Sequence, residues 1–412
     1  MNRFVLGALA FSAASTLGNA SESEDWAGLD RELETLRATM AASSSGSAVG
    51  ASGFIRSSYL WSKDARGGSS TGPAAAPGHP LNGFSIDNVR LNLSATVDEF
   101  DVFVQLEAST EAQFNTGANS GTGAPLGVAP STPVRLGNRT PTARAGVGGG
   151  VAVLDAYASW NIQDEIKLTV GQFRAPVSRG AMLDEDGLFF IERSATDLFW
   201  ATRDQGIQLS GQVGPVSYAA GVQNGGMHVP TNPAGAAGDG VGNDVAYFGR
   251  VDVNILGDGP GRVEGALKAP DDTAVTAGLS YYRDESFEDS TAITADAVAT
   301  FGIIAVWGQA MWLDDAYNNS ANEELLWNLA ATFEIVEDAW EVGARYENFN
   351  DSMGVAGTSG NQSANQLTLG VNHYINGTHN AKVSANYSHI HAARNAAVKE
   401  TDLFAVGLTL SW

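Results

Sequence analysis

Phe404-Ala405-Val406-Gly407-Leu408-Thr409-Leu410-Ser411-Trp412, the last nine residues, decide how the chain is read. Phe404, Val406, Leu408, Leu410 and Trp412 alternate with Ala405, Gly407, Thr409 and Ser411. One face is large and apolar, the other small or polar, and a period of two is the mark of a strand between two environments. A soluble sheet carries this pattern with the apolar face inward. A barrel in lipid carries it with the apolar face outward. The rest of the chain has to separate the two.

Composition narrows the choice. The 412 residues include no Cys, 48 Gly and only 17% charged residues, and the mean hydropathy is −0.09. No stretch approaches the ~18 consecutive apolar residues of a spanning helix. Without Cys there is neither a disulfide framework nor a thiolate metal site. Arg3, the apolar run Phe4 to Phe11 and the small residues of Gly18-Asn19-Ala20 predict a secretory signal over 1–20, cleaved after Ala20. Loss of Arg3 leaves 22 basic against 46 acidic residues, a formal charge of −24. That balance argues against nucleic acid as a partner.

Downstream of the signal, Trp26, Leu29, Leu33, Leu36 and Met40 are spaced 3-4-3-4, which predicts a helix over 21–42. Glu32 falls at g and Arg37 at the following e. Two readings stay open: a lone docked amphipathic helix, or a short periplasmic coiled coil acting as a trimerisation helix. Just over two heptads associate poorly alone, but barrels held side by side raise their effective concentration. Residues 43–52 read as a flexible linker and 53–412 as the barrel.

From Gly53 onward the periodicity is that of strands. Sixteen are expected, at 53–61, 84–97, 101–109, 151–162, 166–173, 204–213, 216–223, 244–255, 273–283, 291–300, 303–313, 323–333, 339–348, 364–374, 381–390 and 401–412. Short turns near Asp98, Asp164, Pro215, Gly302, Glu337 and Gly377 alternate with longer connections. Only 256–272 breaks the rule, being long where a short turn is expected. An even strand number with loops sorted by end is the layout of a bacterial outer-membrane barrel. The expected fold is therefore all-β, a sixteen-stranded antiparallel transmembrane barrel preceded by a short periplasmic α-helix.

The strand faces agree. Val89, Leu91, Leu93 and Ala95 alternate with Asn88, Arg90, Asn92 and Ser94; Trp340, Val342, Ala344 and Tyr346 alternate with Glu341, Gly343, Arg345 and Glu347. In lipid the polar set lines a wet lumen. Parity then places Arg56, Arg90, Glu107, Asp155, Arg250 and Arg345 on the lumen wall, with Lys167, Lys382, Asp252, Glu341 and Glu347. Tyr59, Trp61, Trp160, Tyr281, Trp312 and Trp340 near strand ends suit interfacial girdles, or the ordinary enrichment of strands in aromatics.

Leu154 to Asn224 carries a more specific signal. Its pieces are VGQFRAP (Val170 to Pro176), FIERS (Phe190 to Ser194), RDQGIQLSG (Arg203 to Gly211) and GVQN (Gly221 to Asn224). This segment resembles the phosphate-selective porin O/P family. The resemblance implies a homotrimeric porin in the outer membrane of a Gram-negative-type bacterium. It also implies that the third external loop, about 174–203, folds into the lumen as a constriction. Arg174, Arg179, Asp184, Glu185, Asp186, Glu192 and Arg193 would stand there. These charges either set a transverse field across a narrow slot or pair with one another to hold the loop. The N-terminal heptads resemble those of porin-like proteins with a periplasmic coiled coil. The closing strand resembles the insertion signal of outer-membrane barrels, with Phe404, Leu408, Leu410 and Trp412 read by the insertion machinery.

In one respect the chain departs from that family, whose phosphate conduction relies on Lys and Arg in the lumen. It has five Lys (Lys63, Lys167, Lys268, Lys382 and Lys399), and parity turns only Lys167 and Lys382 inward. A lumen of mixed sign predicts weak ion selectivity. His389 and His391 share a strand face without a third ligand at useful spacing, so they read as rim residues and not as a metal pair. The expected function is passive diffusion of small hydrophilic solutes and ions, with outer-membrane lipid as surroundings and no cofactor, metal or catalytic residue. The alternative is a structural barrel tethering the membrane to another envelope layer through its N-terminal helix.

Overall fold

Sixteen alternating segments find partners in chain order. The computed structural model describes residues 49–65, 79–108, 151–163, 165–194, 196–197, 203–225, 245–259, 261, 263–267, 273–285, 290–314, 324–350, 363–392 and 400–412. The expected signal, the 21–42 helix and most of the expected linker lie outside them. The first eight strands are β1 (Val49–Ala65), β2 (His79–Val97), β3 (Phe100–Ala108), β4 (Val151–Gln163), β5 (Ile166–Phe173), β6 (Asp204–Val213), β7 (Val216–Gln223) and β8 (Ala246–Leu256). The rest are β9 (Thr273–Asp284), β10 (Ser290–Phe301), β11 (Ile304–Asp314), β12 (Glu324–Val336), β13 (Trp340–Asn350), β14 (Ser363–Tyr374), β15 (Ala381–Ala392) and β16 (Glu400–Ser411). Each pairs with the next, and β16 returns antiparallel to β1, closing the barrel. The seam is pinned by reciprocal bonds: Gly53 N donates to Trp412 O at 3.2 Å and Trp412 N donates to Gly53 O at 3.0 Å.

The tight turns at one end take the backbone through positive φ. Gly214 and Gly302 do so at φ 57° each, as glycine does without steric cost. Asp98, Asp338 and Asn376 do the same at 56°, 55° and 60°, and their short polar side chains tolerate that conformation.

The barrel is inside-out relative to a soluble protein. Leu279, Leu325 and Leu329 are 60%, 56% and 55% exposed, whereas Arg90, Arg345 and Glu347 are 1%, 2% and 1% exposed. Outward apolar side chains with every strand edge paired meet the requirement of a bilayer, where an unpaired backbone group costs several kcal/mol.

Two differences from the sequence reading stand out. β1 begins at Val49, inside the segment read as flexible linker: Gly, Ala and Ser lack a periodic pattern, but β2 alongside supplies backbone partners. The inner wall is also not uniformly polar. Ala246, Phe248, Tyr282, Ala292, Met311, Leu313 and Leu326 form one buried inward cluster, and Leu60, Ile390, Leu403 and Ala405 belong to another.

Candidate functional site: the lumen and its infolded loop

Those inward apolar patches receive the β5–β6 loop. Ala175, Val177 and Ala181 of the loop pack into the first cluster beside Phe173 at the end of β5, and Ile191 packs into the second. Phe189 and Phe190 join Ala330 and Trp307 in a third. Because these patches lie on β8–β12 and on β1, β15 and β16, the loop touches opposite stretches of wall. Its fold is local at the start: Ser178 caps the single turn α1 (Arg179–Met182), its Oγ accepting from Ala181 N at 3.1 Å and donating to Asp197 Oδ1 at 2.8 Å. A 3-10 turn follows at Glu185–Gly187.

Charges fix what the apolar contacts place. Arg90 on β2 donates through Nε to Glu107 at 2.8 Å and through Nη1 to Asp184 at 2.9 Å, and it pairs with Glu185. Arg193 bonds Glu185 Oε1 at 3.1 Å and Leu183 O at 2.6 Å. Arg174 holds the carbonyls of Ala181 and Leu183 at 2.7 and 2.8 Å and Asp184 at 2.9 Å. Of the two roles left open for these charges, the described geometry realises the pairing. Burial alone would raise the Glu185 pKa, but Arg90 and then Arg193 outweigh it and hold the carboxyl well below the usual range. Burial, helped by the Arg203 charge, lowers Arg174 to about 9. Burial raises Asp197 to about 6 against the pull of Arg193.

The wall on the far side completes the grip. Lys382 Nζ donates to Asp186 O at 2.7 Å and Leu188 O at 2.6 Å, and Ser411 Oγ donates to Asp186 Oδ2 at 3.1 Å. Arg56 bonds Ile191 O, and Arg345 bonds Glu192 O at 3.0 Å while lying over the Phe190 ring. Asp155 takes Arg203 at 3.3 Å, and Arg250 clamps Asp296 at 2.7 and 2.8 Å. All six wall residues expected from parity are thus buried, and each is tied to another of them or to the loop through polar side chains or carbonyls. Arg250 approaches the loop carbonyl of Val177 at 3.5 Å.

Sequence reasoning missed a second infolded segment. The long connection after β8 returns into the lumen at Val263–Leu267, where Glu264, Ala266 and Leu267 are buried. Glu264 N donates to Gly187 O at 2.8 Å, and Glu264 Oε2 accepts from Phe189 N at 3.0 Å. Arg179 donates to the carbonyls of Gly261 and Val263 at 3.1 Å each, and Ala266 N donates to Glu341 at 2.6 Å. His379, lowered to about 4 by burial and the Lys382 charge, lies 2.9 Å from Leu267 O. The break in loop alternation was the available signal for this brace.

The candidates on β15 and β16 are outward. Phe404, Leu408, Leu410 and Trp412 are exposed on the outer face of β16. His389 Nδ1 meets Asp402 at 2.9 Å beside Tyr387, and no group of three or more metal-ligating side chains occurs among the described residues. Trp26, Leu29, Leu33, Leu36 and Met40 lie outside the described residues.

A closed, inverted sixteen-stranded barrel with a loop drawn across its charged interior has the architecture of a porin. In sequence the chain carries the pattern of the phosphate-selective porins O and P: the model of that family matches residues 135–246 and 337–412. The fold is similar to OmpT of Vibrio cholerae in its trimer form, at 14% identity, TM-score 0.51, and coverage of 89% of this chain and 100% of that one. It is also similar to the anion-selective porin from Comamonas acidovorans (14% identity, TM-score 0.53, coverage 89% and 100%). The outer-membrane channel DcaP of Acinetobacter baumannii gives 11% identity, TM-score 0.53 and coverage of 90% and 98%. No curated protein matches the chain in sequence.

Proposed function

We propose that the chain is an outer-membrane porin giving passive diffusion of small hydrophilic solutes and ions, with the loop over 174–203 as its constriction. The observation that carries this reading is the loop's seating. It is attached to the polar inner wall by Arg90, Arg345 and Lys382 from three separate strands, inside a barrel whose outer face is apolar. Both termini then lie at the short-turn, periplasmic end. Assembly as a homotrimer is part of the proposal, supported by the trimer form of the similar Vibrio cholerae barrel.

Selectivity follows from what the lumen charges are doing. Lys382 is engaged by loop carbonyls, and the inward Arg side chains are engaged by carboxylates and carbonyls, so few inward cationic groups among the described residues are left for a passing anion. Weak selectivity is therefore proposed in place of tight phosphate binding. Purified protein in planar bilayers should give discrete steps of current that scale with salt activity. A folded, heat-modifiable barrel that inserts and stays silent would overturn the porin reading. Block of chloride current by micromolar phosphate would overturn the weak-selectivity part alone.

A further inference from the structure

Strands that rise from the short-turn end let the inner wall be compared at one height. The second residues of β3, β5 and β7 are Asp101, Lys167 and Ser217, and those of β9, β13 and β15 are Ala274, Glu341 and Lys382. All six point inward, by register and by alternation with their neighbours. Ala274, Glu341 and Lys382 are 0%, 0% and 3% exposed, whereas Asp101, Lys167 and Ser217 stay partly exposed. We propose that solutes pass between lumen and periplasm along the β3–β7 side of the wall, and that Lys167 is a specificity-determining residue of that passage. The proposal rests on the diffusion reading above and says where the path runs.

The loop and the brace create the asymmetry. The brace enters from the short-turn end, between β8 and β9, and buries Ala266 and Leu267 on the far side, where Ala266 N meets Glu341 and Leu267 O meets His379. Lys382 and Arg345 hold the loop on that same side. Among the described residues no hydrogen bond or ion pair joins the loop or the brace to the inward side chains of β5, β6 or β7. Gln208, Ser210 and Ser217 there keep partly exposed amide and hydroxyl groups, a surface that a hydrated solute can follow.

Charge enters that polar wall at Lys167. Its register partners are Asn161 on β4 and Ser210 on β6, neither of them charged. Asp101 lies beyond Asn161, which donates to it at 3.0 Å, and Asp252 lies beyond Ser217 and accepts from Arg250 Nε at 2.8 Å. Lys167 itself has no ion pair among the described residues, unlike Arg90, Arg250 and Arg345. An unmatched charge in a narrow wet passage acts over a Debye length, ~10 Å at 0.1 M salt, so ions crossing here respond to it.

The chain has no Cys, so single introduced thiols report on the wall directly. Folded protein in lipid vesicles is treated with a small anionic methanethiosulfonate and labelling is read by mass, while planar bilayers read current. Ser217→Cys should be labelled at least about tenfold faster than Ala274→Cys, whose thiol reacts only through local opening, and its labelling should lower the current. Lys167→Gln should shift the reversal potential in dilute salt toward cations, and Lys167→Glu should shift it further. Lys167→Arg should keep the parent value, a pattern that a purely structural role does not produce. Equal labelling of the two thiols would remove the passage from β3–β7. Fast labelling of Ser217→Cys with an unmoved reversal potential in Lys167→Glu would sink the role of Lys167 alone. Labelling without any current would sink the diffusion reading, and the role of Lys167 with it, while the open wall stands.

Discussion

Glu185 shows how much of the loop's placement passes through single side chains. It stands between Arg90 from the wall and Arg193 from the loop's own return, with Arg174 and Arg203 contributing from farther off. Its depressed pKa means that it stays ionised throughout the pH range in which the barrel would work. Glu185→Gln removes the charge and keeps the size. Arg193 then loses its carboxylate while Arg90 keeps Glu107 and Asp184, so the cost should fall below the about 3–5 kcal/mol of a buried pair broken outright. Hydrogen exchange over 184–194 should therefore speed up in the variant while the strands stay protected. Unchanged protection of the loop would mean that Asp184 and the apolar contacts suffice to seat it.

At the scale of elements, the period-two pattern was legible because each strand separates two solvents that differ sharply. β16 is the clearest case: Phe404, Leu408 and Leu410 face outward, while Ala405 and Thr409 are buried inward. A basic side chain on that outer face costs about 2–4 kcal/mol at the bilayer midplane, an acidic one less, and either costs less toward the interface. Leu410→Asp, or deletion of Ser411 and Trp412, should leave the protein in the periplasm on cell fractionation, and normal membrane assembly of both variants would count against the role given to this strand. The pairing of Arg90 with Glu107 was half-legible, since parity turned both inward but only register could bring them together. The inward positions of Phe248, Met311 and Leu326 were not legible as a docking surface. Alternation distinguishes faces, and an apolar residue facing inward reads as noise until a loop is seen to cover it. The same holds for Val263–Leu267, because chain length after β8 shows that a segment exists and not where it folds.

For the whole molecule, the sign of the lumen is the quantity to measure. Wall and loop pair so completely that removing one sign exposes the other. Replacing Arg174, Arg179 and Arg193 together by Ala should shift the reversal potential toward cations, and replacing Asp184, Glu185 and Asp186 by their amides should shift it toward anions. Both shifts should shrink as screening shortens from ~30 Å at 0.01 M salt to ~3 Å at 1 M. A reversal potential unmoved at low salt in both variants would remove the loop from the ion path.

The bond pair between Gly53 and Trp412 joins the two ends of the barrel sequence, the longest separation any neighbouring strands can have. Contacts so remote in sequence form slowly, because the intervening chain must be ordered before they are made. Until they form, β1 and β16 each present a ladder of unmatched amides, which hydrocarbon does not tolerate. An open sixteen-strand ribbon is thus not a resting place in lipid. The zipper either runs to its last tooth or the chain stays out of the bilayer, so assembly should be recorded as a single kinetic event with no membrane-embedded intermediate.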